Sequence, residues 1–219
     1  MPTAQRVQAD SITHIVAQDG SGEFATIAAA VAAAGEGYTV LIRPGTYDES
    51  ISLDKAITIA GDGEPGRVVI QPSSGAASFT LGGSGATLAD LTLRGRLAGV
   101  SIIGGAPTLD GLVFEAVGLP DELGAGMPAI SVTGGSTALI RDSTIAGGSV
   151  GVMVSESAPT LEGNMISANA TGLQLGPGAV PTLTSNTICL NTTDIEVLEG
   201  GVPPDLSGDA VCGNPVTGG

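Results

Sequence analysis

The sequence has few of the large side chains that usually fill a compact core. Aromatic residues make up only 2% of the 219 residues, and tryptophan is absent. Hydrophobic residues are nevertheless 42% of the chain, and 35 glycines and 13 prolines interrupt them throughout. A narrow core of valine, isoleucine, leucine and alanine fits this composition better than one wide core.

Positive charge is also scarce. Seven lysines and arginines face 22 aspartates and glutamates, which gives a net charge of −15. Because no basic cluster offsets this charge, nucleic acids and anionic membrane surfaces are excluded as partners. No apolar run reaches the ~18 residues of a membrane span. The N-terminus lacks the apolar core of a signal peptide, so we expect a cytoplasmic protein or a domain excised from a longer one.

Metal-binding side chains are equally rare. His14 is the only histidine, and the two cysteines, Cys189 and Cys212, form no CxxC pair. This pattern predicts no metal site and no cofactor. The cysteines could form a disulfide or remain reduced. The second alternative is favoured because Cys189 lies inside an apolar strand pattern, which is typical of a buried free thiol.

The C-terminal half of the chain repeats itself. Segments such as Pro107–Phe114 (PTLDGLVF) and Pro159–Ile166 (PTLEGNMI) align with three others. Their equivalent apolar residues are separated by 21, 31, 21 and 22 positions. A second apolar series downstream, which begins with Val100, Ile130, Val152, Leu173 and Ile195, shares this period and its single insertion. The first series consists of Leu88, Leu109, Ile140, Leu161 and Leu183.

Each repeat contains strands of three or four residues that alternate between apolar and polar positions. Strands this short bury a face only when coils stack at ~4.8 Å and each strand pairs with its equivalent in the next coil. The sequence therefore predicts an all-β fold, a right-handed parallel β-helix of about seven coils. A leucine-rich repeat is disfavoured because glycine-rich corners stand where its helical segments would be.

The ends and corners of this solenoid are also predictable. Phe24–Ala34 places Phe24, Ile27 and Val31 on one face before Gly35, which predicts a capping α-helix that ends at that glycine. Two asparagine pairs one coil apart, Asn164 with Asn186 and Asn169 with Asn191, predict stacked amides inside the corners. We expect one domain over residues 1–219, with a strand and cap helix at 14–35, coils at 36–200 and a C-terminal cap or tail at 201–219.

The N-terminal segments VAQDGSGEFATI (16–27), IRPGTYDE (42–49) and ITIAGDG (57–63) resemble the opening of pectin methylesterases and the wider pectin-lyase-like superfamily. The resemblance covers about residues 14–63 and implies the β-helix fold. It also implies an esterase that uses one aspartate as nucleophile and a second as acid and base. The family carries them on Gln-Asp-Thr, Asp-x-Ile-Phe-Gly and Leu-Gly-Arg-Pro-Trp motifs.

The esterase motifs are missing from this chain. It has no Gln-Asp-Thr and no tryptophan. The segment most similar to Asp-x-Ile-Phe-Gly is Asp110–Phe114 (DGLVF), which is followed by Glu115 where the motif has glycine. One aspartate cannot act as both nucleophile and acid/base. The lyases of this superfamily use an arginine or lysine as the base, but Arg94, Arg96 and Arg141 form no comparable pattern. We interpret Arg141 and Asp142 as an ion pair.

Two surfaces are candidates for binding. The insertion Glu115–Met127 projects from a rigid solenoid and carries Asp121 and Glu122. A flat, weakly polar outward column is predicted on one strand series. Its members are Thr92, Val113, Thr144, Met165 and Thr187.

We therefore predict a non-catalytic β-helix module that presents a rigid surface to a protein or a carbohydrate, or for assembly. The alternative is a divergent carbohydrate-active enzyme, namely a polysaccharide lyase, hydrolase or esterase. Its candidate catalytic residues are Asp110, Glu115, Asp121 and Glu122.

Overall fold

The computed structural model describes residues 12–64, 66–74, 77–83, 85–95, 98–118, 126–213 and 217–218. In chain order the elements are β1 (Thr13–Val16), α1 (Ile27–Ala33), β2 (Thr39–Ile42), β3 (Gly45–Tyr47), β4 (Ile51–Leu53), β5 (Thr58–Gly61), β6 (Val68–Ile70), β7 (Ala77–Gly82), β8 (Thr87–Ala89), β9 (Thr92–Arg94), β10 (Ala98–Ile103), β11 (Thr108–Asp110), β12 (Val113–Glu115), β13 (Pro128–Thr133), β14 (Leu139–Arg141), β15 (Thr144–Ala146), β16 (Val150–Val154), β17 (Thr160–Glu162), β18 (Met165–Ser167), β19 (Thr171–Leu175), β20 (Thr182–Thr184), β21 (Thr187–Cys189), β22 (Thr193–Val197), β23 (Ala210–Val211) and β24 (Thr217–Gly218).

These strands form three parallel sheets along a β-helix, and each coil contributes about one strand to each sheet. Sheet A has the order β1-β2-β5-β8-β11-β14-β17-β20, and sheet B has the order β3-β6-β9-β12-β15-β18-β21-β23. Sheet C has the order β4-β7-β10-β13-β16-β19-β22-β24. The all-β solenoid is confirmed, but it has eight strands in each sheet rather than the expected seven coils. The predicted number of coils was too low because β1 and the short strands β23 and β24 lie outside the regular repeats.

The two predicted apolar columns line the interior. Leu88, Leu109, Ile140, Leu161 and Leu183 stand in register in sheet A. Val100, Ile130, Val152, Leu173 and Ile195 stand in register in sheet C. All of these residues are at least 92% buried, because each coil covers the one beneath it. The core is therefore a continuous stack of aliphatic layers, as the composition predicted.

In the five coils from β8 to β21, sheets A and B meet at a sharp corner that one residue makes. Asp90, Gly111, Asp142, Gly163 and Ser185 occupy this corner with φ between 50° and 65°. This left-handed conformation costs L-residues about 1–2 kcal/mol, which explains why glycine or aspartate stands at four of the five corners. The corner fixes the direction in which the sheet B strands leave.

The two asparagine ladders are confirmed. The side-chain amide of Asn164 donates to the Oδ1 atom of Asn186 at 2.9 Å, and Asn169 donates to Asn191 in the same way at 3.1 Å. Each ladder ends on a carboxylate, because Asn186 donates to Asp209 and Asn191 donates to Asp194. A carboxylate suits this position since it accepts hydrogen bonds and donates none.

The predicted capping helix exists but is shorter than expected. It spans Ile27–Ala33, with Thr26 as N-cap and Ala34, not Gly35, as C-cap. Ala34 leaves the helix in an extended conformation, so a left-handed glycine is not needed. Among the described residues, no helix is long and apolar enough to span a membrane.

Two side chains from neighbouring coils hold α1 at its ends. The carboxylate of Glu49 accepts from the backbone N–H groups of Ile27 and Ala28, both at 2.9 Å. Lys55 donates to the carbonyl oxygens of Val31, Ala32 and Ala34 at the other end. A negative charge at the N-terminus and a positive charge at the C-terminus both match the helix dipole.

The prediction of a free thiol at Cys189 is wrong. Cys189 and Cys212 form a disulfide, with their Cα atoms 4.9 Å apart. The pairing arises because β23, the strand just before Cys212, adds to sheet B alongside β21, the strand that ends at Cys189. The disulfide therefore ties the C-terminal segment to the last regular coil.

Candidate functional site

The candidate binding column forms as expected in sheet B. Thr92 pairs with Val113, Val113 with Thr144, Thr144 with Met165 and Met165 with Thr187. The central residue of each of these three-residue strands, such as Phe114 or Ile145, points into the core and is fully buried. The alternation of a strand therefore turns the candidate column outward.

Thr92 does not belong to the accessible part of this column. Its exposed fraction is 0%, and its hydroxyl oxygen accepts a hydrogen bond from the backbone N–H of Gly66 at 2.8 Å. The preceding residue in the column, Val69, is also covered, with 6% exposure. The accessible column thus starts at Val113, and Met165 is its most exposed large apolar residue at 52%.

A second outward column runs beside the first. It contains Glu115, Ala146, Ser167 and Cys189, which pair in register along sheet B. Apart from Glu115, these residues are small and uncharged. We call the two columns together, Val113, Thr144, Met165 and Thr187 with Ala146 and Ser167, the sheet B face. It is flat because both columns lie on short, regularly paired strands.

The candidate acids Asp110 and Glu115 are both engaged in ion pairs. Arg141 donates to Asp110 at 2.5 Å across one coil boundary. Arg94 donates its Nε atom to Glu115 at 2.9 Å across another. The predicted pairing of Arg141 with Asp142 is therefore wrong, because Arg141 pairs with Asp110, its register partner in the preceding coil, whereas Asp142 occupies the corner that follows β14. The hydrogen bond and the charge of Asp110 raise the pKa of Arg141 above its ordinary value.

The two acids also belong to different sheets. Asp110 ends β11 in sheet A, whereas Glu115 ends β12 in sheet B, and the corner at Gly111 lies between them. Asp121 and Glu122, like Arg96, lie outside the described residues. Among the described residues, no group of three or more histidine, cysteine, aspartate or glutamate side chains is arranged to hold a metal ion.

Sequence reasoning missed a second regular surface on sheet A. The residue before the inward position of each strand is a threonine in all but one coil of sheet A, and these side chains are partly or fully exposed. The Pro-Thr-Leu repeats carried this signal, since the position just before the buried leucine must face outward. We call this set the threonine column. It contains Thr13, Thr39, Thr58, Thr87, Thr108, Thr160 and Thr182, with Leu139 between Thr108 and Thr160.

Charged residues lie directly beside the threonine column. The adjacent outward positions are Asp110, Arg141 and Glu162, which pair in register in sheet A. Of the matching positions in sheet B, Glu115 is charged and paired with Arg94, whereas Ala146 and Ser167 in the next two coils carry no charge. The two flat surfaces therefore differ in the ligands that they suit.

Residues 76–214 match the family model of the right-handed β-helix region. This match covers more than half of the chain, so the chain belongs to the right-handed β-helix family. The predicted handedness is confirmed, and so is the resemblance to the pectin-lyase-like superfamily.

Two relatives come from Citrus sinensis. Pectinesterase 1 is 40% identical over 72 residues, and Pectinesterase 2 is 40% identical over 84 residues. These stretches are 29% and 36% of this chain but only 12% and 15% of the two relatives. The chain thus matches a small part of each pectinesterase.

Solved structures extend the similarity over most of the chain. Pectin methylesterase from carrot has a TM-score of 0.53 at 14% identity, and the match covers 99% of this chain and 86% of the carrot protein. Pectate lyase Pel9A has a TM-score of 0.53 at 13% identity, covering 86% and 67%. The Escherichia coli protein ybhc has a TM-score of 0.65 at 13% identity, covering 92% and 70%. At these identities the likeness is one of fold.

Proposed function

We propose that this protein is a non-catalytic β-helix module that binds a neutral polysaccharide along its sheet B face. The observation that carries the proposal is the flat, uncharged run of Thr144, Met165 and Thr187 with Ala146 and Ser167 beside it. Threonine and serine hydroxyls can donate and accept hydrogen bonds, and the methyl and thioether groups offer apolar contact. A polysaccharide presents the same mixture of hydroxyl groups and apolar ring faces.

The regular spacing of the coils supports a linear ligand. Parallel strands repeat every ~4.8 Å, so each coil adds one side chain to an extended row. Because the strands are fixed by backbone pairing on both sides, little conformational entropy is lost when a ligand binds. A linear polymer could therefore make equivalent contacts in successive coils.

The net charge supports a neutral ligand. The relatives are named for pectin and pectate, which suggests a pectin-like polysaccharide. A net charge of −15 repels polygalacturonate but not the same polymer when its carboxylates are methyl esters. Charges are also costly to desolvate, so the uncharged sheet B face suits a neutral chain better than the charged flank of the threonine column.

The alternative hypothesis, a divergent carbohydrate-active enzyme, draws on the 40% identity to the two pectinesterases. A glycoside hydrolase needs two carboxylates about 5 to 9.5 Å apart across one groove. Asp110 and Glu115 are held by arginines on separate sheets, which argues against such a pair. Asp121 and Glu122 stay candidates of this hypothesis.

Affinity electrophoresis in gels that contain highly methyl-esterified pectin or polygalacturonate tests the proposal. We expect esterified pectin to retard the protein and polygalacturonate to leave it unaffected. Thr144→Glu and Met165→Glu should weaken retardation at least tenfold, because each places a charge on the sheet B face. Thr160→Glu is the matched control, since Thr160 is an equally half-exposed threonine of the neighbouring coil in sheet A.

Retardation that is unchanged by both sheet B substitutions but lost in Thr160→Glu would contradict the proposal and assign binding to the threonine column. Absence of retardation in both gels would also contradict it. A wild-type dimer that Met165→Glu dissociates, with no retardation, would indicate that the sheet B face binds protein instead.

A further inference from the structure

A polar cleft of about 490 Å³ lies at the N-terminal end of the solenoid, between the corner that follows β1 and the corner that follows β2. Small-molecule sites in proteins commonly have volumes of about 300–1,000 Å³. Its lining residues are Ala17, Gln18, Asp19, Ser21, Arg43 and Pro44.

The polar side chains of the cleft are held in place by bonds to the surrounding fold. Gln18 donates its Nε2 atom to the carbonyl oxygen of Thr46 at 2.8 Å. The Oδ1 atom of Asp19 accepts from the backbone N–H of Ser21 at 2.9 Å. Arg43 donates its Nη1 atom to Asp62. Each side chain thus uses part of its hydrogen-bonding capacity for positioning, which lowers the entropy cost of binding a ligand with the rest.

The backbone walls of the cleft are equally constrained. The N–H of Arg43 donates to the carbonyl oxygen of Val16 at 2.9 Å, and the buried Tyr47 hydroxyl donates to the carbonyl oxygen of Arg43 at 2.9 Å. The other wall folds back so closely that a Cβ atom at Gly22 would lie 2.6 Å from the carbonyl oxygen of Ile15. Only glycine permits this approach, so the shape of the cleft depends on Gly22, which lies in the segment 16–27 that resembles pectin methylesterases.

Charge in the cleft disfavours an anionic ligand. The single cation, Arg43, is paired with Asp62, and Asp19 adds a second carboxylate. Hydrogen bonds from Ser21 lower the pKa of Asp19, so it is ionised at neutral pH. The cleft therefore offers strong acceptors at Asp19 and Gln18 and donors at Arg43. A neutral ligand rich in hydroxyl groups matches both, since each hydroxyl donates and accepts.

We propose that this cleft is a second saccharide site, which binds a short neutral oligosaccharide or the end of a neutral polysaccharide chain. The ligand class rests on the proposed function, but the site is separate from the sheet B face. The covered residues Val69 and Thr92 lie between the cleft side of sheet B at Thr46 and the first accessible residue, Val113.

Titration of the ¹⁵N-labelled protein with two trisaccharides tests this inference. The probes are fully methyl-esterified trigalacturonide and trigalacturonate, which have the same rings and differ in charge. We expect the ester to shift the backbone amide signals of Ala17, Gln18 and Ser21 in a saturable way. The affinity of the protein for trigalacturonate in the same titration should be at least tenfold lower.

Two variant pairs locate the binding. Asp19→Asn and Gln18→Ala should each weaken binding of the ester about tenfold, as expected for loss of one strong hydrogen bond in a desolvated site. Asp205→Asn is the matched control for the first, because Asp205 makes the same turn with Ser207 at 2.9 Å at the other end of the chain. Gln174→Ala is the control for the second, since Gln174 donates to Glu196 in sheet C. Both controls should bind like the wild type.

Unshifted cleft amides, or equal binding by all four variants, would overturn the inference. Equal affinity for the charged trisaccharide would overturn the predicted ligand class. The amide spectrum of each variant also reports whether it is folded. If the cleft amides stay unshifted while esterified pectin still retards the protein in gels, the cleft inference fails and the proposed function stands. If the cleft amides shift but esterified pectin does not retard the protein in gels, the proposed function fails and the cleft inference stands.

Discussion

The side chain of Asn164 donates to the side chain of Asn186 at 2.9 Å, and this bond joins two successive coils inside the corner between sheets A and B. The backbone N–H of Asn164 donates to the same oxygen at 3.0 Å. Asn186 itself donates to the carbonyl oxygen of Leu161 and to Asp209. A single buried amide thus satisfies polar groups in three coils.

We predict that Asn186→Leu lowers the free energy of unfolding by about 1–3 kcal/mol, because it leaves the buried amide and backbone N–H of Asn164 without their acceptor. Chemical denaturation monitored by circular dichroism measures the change. The control is Gln174→Leu, which removes a more exposed amide and should have little effect. Equal stability of both variants would show that the ladder is not a stabilising feature.

The position of Glu49 predicts a second effect on stability. Its carboxylate accepts from two backbone N–H groups at the start of α1. We expect Glu49→Ala to cost about 1–2 kcal/mol, the range observed for helix N-caps. Thermal unfolding of this variant should be compared with that of Asp54→Ala, an exposed acid five residues further along the chain. A variant as stable as the control would mean that packing alone holds the capping helix.

Reduction of the disulfide should destabilise the C-terminal end. Cys189 and Cys212 are 23 residues apart, and closing a loop of this length stabilises a protein by about 3 kcal/mol. We predict a loss of this size for the double variant Cys189→Ala/Cys212→Ala under oxidising conditions. Reductant should lower the stability of the wild type to that of the double variant. A wild-type midpoint that does not respond to reductant, with two free thiols by mass spectrometry, would contradict the disulfide.

A substitution at Leu190 should raise the stability of the protein rather than lower it. It has φ 61° and is 83% exposed, so it combines an unfavourable backbone conformation with an apolar side chain in water. Leu190→Asn should raise the free energy of unfolding by about 1 kcal/mol, because asparagine tolerates the left-handed conformation. Val180→Asn, an exposed apolar residue with an ordinary φ, should leave stability almost unchanged. Equal effects at both positions would show that the backbone at Leu190 carries no cost.

The solenoid was predictable because its information is periodic. One inward residue per strand, such as Leu109, recurs at 21 or 22 positions, and stacking follows from the short strand length. The partners of the ion pairs and the disulfide were not predictable in this way. Arg141 reaches Asp110 across a coil that contains the insertion, and Cys212 reaches Cys189 only after an irregular segment returns to sheet B.

The candidate site was predictable in its register but not in its exposure. Alternation placed Thr92 in the outward column, and the structure confirms that position. Its burial depends on Gly66, which comes from a loop of the preceding coil and leaves no periodic signal. The cleft around Gln18 and Arg43 was missed for a related reason, since its two walls belong to corners rather than strands.

The function that we propose for this β-helix is binding of a neutral polysaccharide without chemical change. The most direct measurement incubates the protein with esterified pectin, polygalacturonate and alginate, with and without calcium. It follows methanol release, unsaturated products and reducing ends over a broad pH range, alongside retention on esterified pectin. We predict retention on esterified pectin with no turnover of any substrate. Turnover that disappears in Asp110→Asn or Glu122→Gln would contradict this account and identify the protein as an enzyme.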